Sequence, residues 1–158
     1  MKHLVYVSIL LCIVFSSCSN QKPVYEQTIQ FPDFQWNRFH ILEFKPEVKK
    51  VKKPFDFRIV ITYTENYAYE TIPVNTVLTY PNGQKNILRY VFPVKDKNGF
   101  IGTKDGNKRS IEASIHSNKQ LPEFGIYTFT VQQLTQYYDL ENIVSVHFLL
   151  IPSKKNKK

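Results

Sequence analysis

The sequence predicts an all-β fold, an antiparallel β-sandwich of jelly-roll or immunoglobulin-like type with about seven or eight short strands. Three observations carry this. Apolar and polar residues alternate with period two in several stretches. Clusters of Pro, Asn, Asp and Gly punctuate those stretches at short intervals. The one segment with helical composition, 133–143, is too short to define a class and reads as a turn or crossover between the last two strands.

The chain begins with Lys2 and His3, followed by the uncharged run Leu4–Phe15, Ser16, Ser17 and Cys18. A membrane-spanning helix needs about 20 apolar residues. This run is shorter and has the length of a signal-peptide core. Basic, apolar, small-small, cysteine is the order of a bacterial lipoprotein signal, with Phe15 where leucine is usual. In that reading a diacylglycerol is attached to the Cys18 thiol and residues 1–17 are removed. A plain secretory signal and a short membrane anchor are the other two readings of the same run. Cys12 leaves with the leader, so Cys18 is the one cysteine of the mature chain. An intramolecular disulfide and a cysteine zinc site are then both ruled out. Residues 18–23 form a short tether, 24–152 the sandwich and 153–158 a basic tail.

The strands follow in order. Residues 24–31 and 40–45 open the domain. In 55–64, Phe55, Phe57, Ile59, Ile61 and Tyr63 share one face, with Val60 the exception on the other. Residues 72–80 and 86–92 are joined by "YPNGQ" (80–84), where Pro81 suits a turn and Gly83 admits positive φ. "DKNGF" (96–100) and "KDGNK" (104–108) mark looser turns before a strand at 109–116. Tyr127, Phe129 and Val131 alternate with threonine and glutamine in 125–133, and a more apolar strand at 143–151 closes the fold. The expected inner faces carry Leu42, Phe44, Phe57, Ile59, Ile61, Leu78, Tyr127, Phe129, Val146 and Phe148.

Aromatics are abundant, with 12 Phe and 10 Tyr, while 5 Gly leave little room for a phosphate loop. The formal net charge is +8, and the leader removes one unit of it with Lys2. Nucleic acid is not expected as a partner of an exported, lipid-anchored protein. The charge is concentrated in "KPEVKKVKK" (45–53) and "KKNKK" (154–158). These are either solvated loops or contacts to anionic headgroups or an acidic partner.

Catalytic signatures such as GxSxG, HExxH and a phosphate loop are missing. His40, His116 and His147 lack ligand spacing, and the carboxylates do not cluster. Asp96, Asn98, Asp105 and Asn107 have calcium-type oxygens, but Lys97, Lys104 and Lys108 sit among them and turn chemistry explains them. No catalytic residue, metal or cofactor is therefore expected. Two aromatic groups remain as a candidate binding surface: Trp36 in "FPDFQWNRF" (31–39), and Tyr67 and Tyr69 in "TENYAYETIP" (64–73). They either plug and cap the sandwich end or form an edge for protein or for sugar stacking.

Taken along its length, the chain resembles the GldH gliding-motility lipoproteins of the Bacteroidetes. The resemblance runs from Cys18 and "VYEQ" through "FPDFQWNRF" to "FRIVITYTENYAYETIPVNTVLTYPNGQ" (57–84) and "FGIYTFTVQQLTQYYDLENIVSVHFLL" (124–150). The segment 94–110 departs most, matching at Asp96, Gly99 and Gly102. "TEN" at 64–66 stands where Arg-Asn-Thr-like sequence is common, and His147 where glycine is frequent. The resemblance implies a non-enzymatic envelope lipoprotein of the gliding machinery, linked in this phylum to type IX secretion. It implies other gliding or secretion envelope proteins as partners. No acidic cluster follows Cys18, which favours the outer membrane with the domain facing the periplasm. A carbohydrate-binding sandwich lipoprotein, with a glycan stacked on Trp36, Tyr67 and Tyr69, is the alternative.

Overall fold

The structure is a computed structural model and describes residues 22–49 and 53–154. Cys18, Lys50, Lys52 and Lys155 to Lys158 lie outside the described residues. The described residues form fifteen strands, in the order β1 (Tyr25–Gln30), β2 (Gln35–Asn37), β3 (Leu42–Phe44), β4 (Glu47–Val48), β5 (Phe55–Thr64), β6 (Thr71–Thr79), β7 (Lys85–Pro93), β8 (Lys95–Asp96), β9 (Gly99–Phe100), β10 (Thr103–Asp105), β11 (Lys108–Lys119), β12 (Gly125–Ile126), β13 (Thr128–Gln133), β14 (Asp139–Glu141) and β15 (Ile143–Pro152). Nine of them build two sheets, β1-β15-β5-β11-β10 and β3-β13-β6-β7.

The pairing is a mirror about the 80–84 turn. β6 pairs with β7, β5 with β11, β4 with β12, β3 with β13, β2 with β14 and β1 with β15, all antiparallel. The chain is thus one long hairpin, folded so that β6–β7, β5–β11, β3–β13 and β1–β15 fall alternately in the two sheets, while β4–β12 and β2–β14 form short ladders of their own. That strand order is the jelly roll, and it decides between the two sandwich types the sequence allows. The apex is the turn visible in the sequence: Tyr80 and Gly83 close it by backbone bonds, and Gly83 adopts φ 85°.

The core lies between the sheets and is aromatic at its centre. Phe148 of β15 stacks on Phe129 of β13 with centroids 4.7 Å apart, and reaches Phe44 at 5.1 Å and Phe57 at 5.9 Å. All four rings are fully buried, as are Leu42, Ile59, Ile61, Leu78, Tyr127 and Val146. Period-two alternation made them an inner face, and the pairing of β5 with β15 brings Ile59 opposite Phe148.

Three features differ from the sequence expectation. The expected strand 125–133 is broken at Tyr127, because β12 leaves sheet two to pair with β4 while Tyr127 N–H donates to Pro46. The segment 133–143, expected as a turn or crossover, turns and then adds a short strand, β14, against β2. The looser turn region is organised as a β8–β9 hairpin and a β10–β11 hairpin. Between those hairpins, a Cβ on Gly102 would sit 2.5 Å from the Ser110 carbonyl oxygen, so no side chain fits there. Nearby, the buried Tyr63 hydroxyl donates to the Ile101 carbonyl at 2.6 Å.

β11 carries two register shifts flanking His116. His116 packs edge-on against Phe57 at 5.4 Å, and its Nε2 is buried without a partner. Burial, helped by the charge of Lys119, lowers its pKa below the ordinary 6.5. The unfolded chain therefore takes up this proton first as the pH falls. The stability contribution is complete above about 6.5 and is lost as the pH drops towards the folded-state value. Denaturation curves at descending pH should show this loss, and His116→Phe should remove that part of the slope. An unchanged slope in the variant would exclude His116 as its source.

Candidate functional site: an aromatic rim at one end of the jelly roll

Because the strands run antiparallel along one axis, the loops collect at two ends. One end gathers 31–41, 64–71 and 134–142, and it carries the candidate surface.

The framework beneath it is buried and hydrogen-bonded. Trp36 on β2 is fully enclosed, stacks on Phe31 at 5.7 Å, and donates its indole N–H to the His40 carbonyl at 3.0 Å. Tyr67 is 1% exposed and donates its hydroxyl to the Thr71 carbonyl at 3.0 Å, closing the 67–71 turn. Burial pushes its phenol far above the usual tyrosine value, so the ring stays neutral. Gln133, also buried, organises the loop that follows it. Its amide donates to the Tyr137 carbonyl at 3.1 Å, and its oxygen accepts from the Thr135 N–H at 2.7 Å. The pair β2–β14 then binds the loops together, with Asn37 donating to Asp139 at 2.7 Å and Arg38 N–H donating to the Tyr138 carbonyl at 2.7 Å.

On this framework stand exposed rings. Phe39 is 70% exposed and Tyr138 67%, with centroids 5.8 Å apart. The Arg38 guanidinium lies about equally far from both, 5.9 Å and 6.0 Å. Tyr69 stacks on Tyr137 at 4.9 Å, linking the 67–71 and 134–138 loops. Phe34 is exposed and holds φ 55°, a left-handed conformation that is an outlier for a bulky side chain. A small cleft beside the Tyr69–Tyr137 stack is lined by Ala68, Asp139, Glu141 and Asn142.

Of the three candidate residues, only Tyr69 therefore reaches the surface. Trp36 and Tyr67 are at the right end but face inward, because the His40 carbonyl and the Thr71 carbonyl claim their polar edges. Neither presents a ring face to a ligand. The exposed members are Phe39, Tyr137 and Tyr138, which the sequence reading did not single out. The available signal was their position in segments without period two, where an aromatic residue has no sheet face to bury. Elsewhere, Asp96 accepts from the Asn98 N–H at 2.7 Å, a turn bond of the ordinary kind. Among the described residues no group of three or more His, Cys, Asp and Glu side chains is placed to share a metal ion.

The GldH lipoprotein family profile matches residues 23–148, from the approach to β1 to the middle of β15. The chain belongs to the GldH lipoprotein family. A gliding motility lipoprotein GldH homolog of Christiangramia forsetii is 24% identical over 152 residues, covering 91% of this chain and 92% of the relative. A chain from the structure of the infectious bursal disease virus Gt strain aligns over 87% of this chain and 44% of its own length, at 13% identity and a TM-score of 0.21. A likeness at that score carries no argument. The family match includes all three loops of the aromatic rim. Membership in a lipoprotein family supports a lipid anchor and a place in the cell envelope, in keeping with the leader read at residues 1–18.

Proposed function

We propose that this GldH-family protein is a non-enzymatic assembly component of the envelope. Lipid at Cys18 holds it to the outer membrane with the jelly roll facing the periplasm, and it engages other proteins of the gliding or secretion machinery. The observation that carries this is the exposed ring cluster Phe39, Tyr69, Tyr137 and Tyr138 with Arg38, held on a rigid buried base. Tyr, Phe and Arg are the residue types enriched at protein interfaces, and rigid aromatic anchors lose little conformational freedom on binding. The gliding role is taken from the family resemblance and the relative's name.

The carbohydrate alternative has less support. Two of its three rings, Trp36 and Tyr67, are buried, and the Tyr69 ring is already stacked on Tyr137. Affinity capture of the lipidated protein from native envelopes tests the proposal. The expected result is co-capture of defined envelope proteins at constant ratio. Capture of the protein alone, together with glycan binding lost in Tyr69→Ala, would favour the sugar reading.

A further inference from the structure

The opposite end of the jelly roll receives the chain from its tether, and the structure gathers there lysines that are far apart in sequence. Val24 N–H donates to Leu150 at 2.8 Å, so the start of β1 lies beside the end of β15. The start of β5 is in register with both Pro152 and Lys119. Asp56 fixes this junction: it accepts from the Asn118 N–H at 2.8 Å and from the Ser153 hydroxyl, while Ser153 N–H donates to Pro54 at 2.8 Å. Lys53, Lys119 and Lys154 are each one residue from these anchors, and Lys22, Lys45 and Lys49 stand on the adjoining loops. Lys45 and Lys49 lie 2.7 Å and 3.3 Å from Glu43 and Glu47; Lys53, Lys119 and Lys154 have no carboxylate partner among the described residues.

Exposed apolar side chains share this end. Phe124 is 69% exposed, and Ile126 and Val24 also stand in solvent. Ile126 is opposite Glu47 in the β4–β12 pair, and Val24 lines an open groove of about 590 Å³ with Lys45, Val48 and Lys49. The far end is different in balance. Its Lys104 and Arg109 are held by Glu65 at 3.0 Å and 2.8 Å, and Asp139 and Glu141 border the aromatic rim.

We propose that the tether end is a bilayer-docking face: its lysines contact anionic headgroup phosphates and Phe124, Ile126 and Val24 enter the headgroup boundary. This rests on the lipid-anchored reading above and adds an orientation to it. Cys18 precedes Lys22 by so few residues that a fully extended link spans only about 14 Å, at roughly 3.5 Å per residue. The anchor therefore brings this face, and not the aromatic rim, to the membrane surface. Lysines beside exposed Phe and Ile are the composition of interfacial membrane contacts. The rim then points away from the bilayer, towards partners.

The test uses the mature chain, 18–158, with Cys18→Ser so that no lipid contributes. Binding is measured to vesicles of phosphatidylcholine alone and mixed with phosphatidylglycerol. The chain should bind the mixed vesicles, more weakly as salt rises. Each lysine near an anionic surface multiplies binding about fivefold, so Lys49→Gln, Lys53→Gln and Lys154→Gln together should weaken it about a hundredfold. The same change at Lys97, Lys104 and Lys108, at the far end, should have little effect, and Phe124→Ala should weaken the binding that survives high salt. Equal losses in the two triple variants would reduce the effect to net charge and overturn the proposal. So would failure to bind mixed vesicles; retained binding to native envelopes in that case would mark an acidic protein as the occupant. The vesicles contain no protein, so either failure leaves the assembly reading untouched.

Discussion

Phe148→Ala should lower the unfolding free energy by about 3–5 kcal/mol, the largest single-residue effect on stability expected in this protein. Phe148 joins the sheets: it touches Phe129 and Phe44 of one and Phe57 of its own, and Tyr25 of β1 lies 5.9 Å away. Truncation removes a buried ring and leaves its neighbours facing a cavity. It also removes aromatic contacts worth about 0.5–1.5 kcal/mol per pair beyond their buried area. A domain whose total stability is about 5–15 kcal/mol would keep a reduced but measurable transition. Phe148→Leu, which keeps most of the volume, should cost roughly half as much or less. Urea denaturation of both variants at one pH gives the comparison. A loss below about 1 kcal/mol for Phe148→Ala would mean that the centre of the core lies elsewhere.

The second large effect belongs to assembly. Replacing Phe39, Tyr137 and Tyr138 together by alanine should abolish co-capture of partners while costing only the surface ring contacts of Tyr137 with Tyr69 and of Phe39 with Tyr138, a small fall in the denaturation midpoint. The rings are exposed, so removing them creates no cavity. At interfaces, truncated aromatic anchors typically cost 2 kcal/mol or more, which is about a thirtyfold loss of affinity for one such residue. Gln133→Ala provides a second route to the same outcome. It leaves the three rings in place but removes the side chain that holds the Thr135 N–H and the Tyr137 carbonyl. It should lower capture with a larger loss of stability than the triple variant, because Gln133 is buried and the three rings are exposed. Normal capture by the triple variant would remove the rim from the interface.

The core was legible in the sequence because period two needs no knowledge of partners. Phe57, Ile59 and Ile61 alternate on β5 and are all fully buried. The turn at 80–84 was legible for a similar reason, since Pro81 and Gly83 act on their own backbone. The mirror pairing was not. Whether β1 lies beside β15 depends on contacts between residues more than a hundred positions apart, and no local pattern records them. Trp36 shows the limit most clearly. β2 has three residues, too few to display a period, so the sequence left open whether its ring was a plug or a platform. The lysines give the complementary case. Two runs were visible, but the meeting of Lys53 and Lys154 at one end, and the recruitment of Lys119 to them, follow from strand register alone.

In the proposed function, the aromatic rim is the surface through which a membrane-held jelly roll meets its partners. Site-specific photocrosslinking in living cells tests it most directly, with the reactive side chain placed at Tyr138 on the rim or at Ile87, an exposed position on β7. The rim probe should yield a discrete crosslinked envelope protein, and the β7 probe should not. Crosslinking from Ile87 with none from Tyr138 would contradict the account.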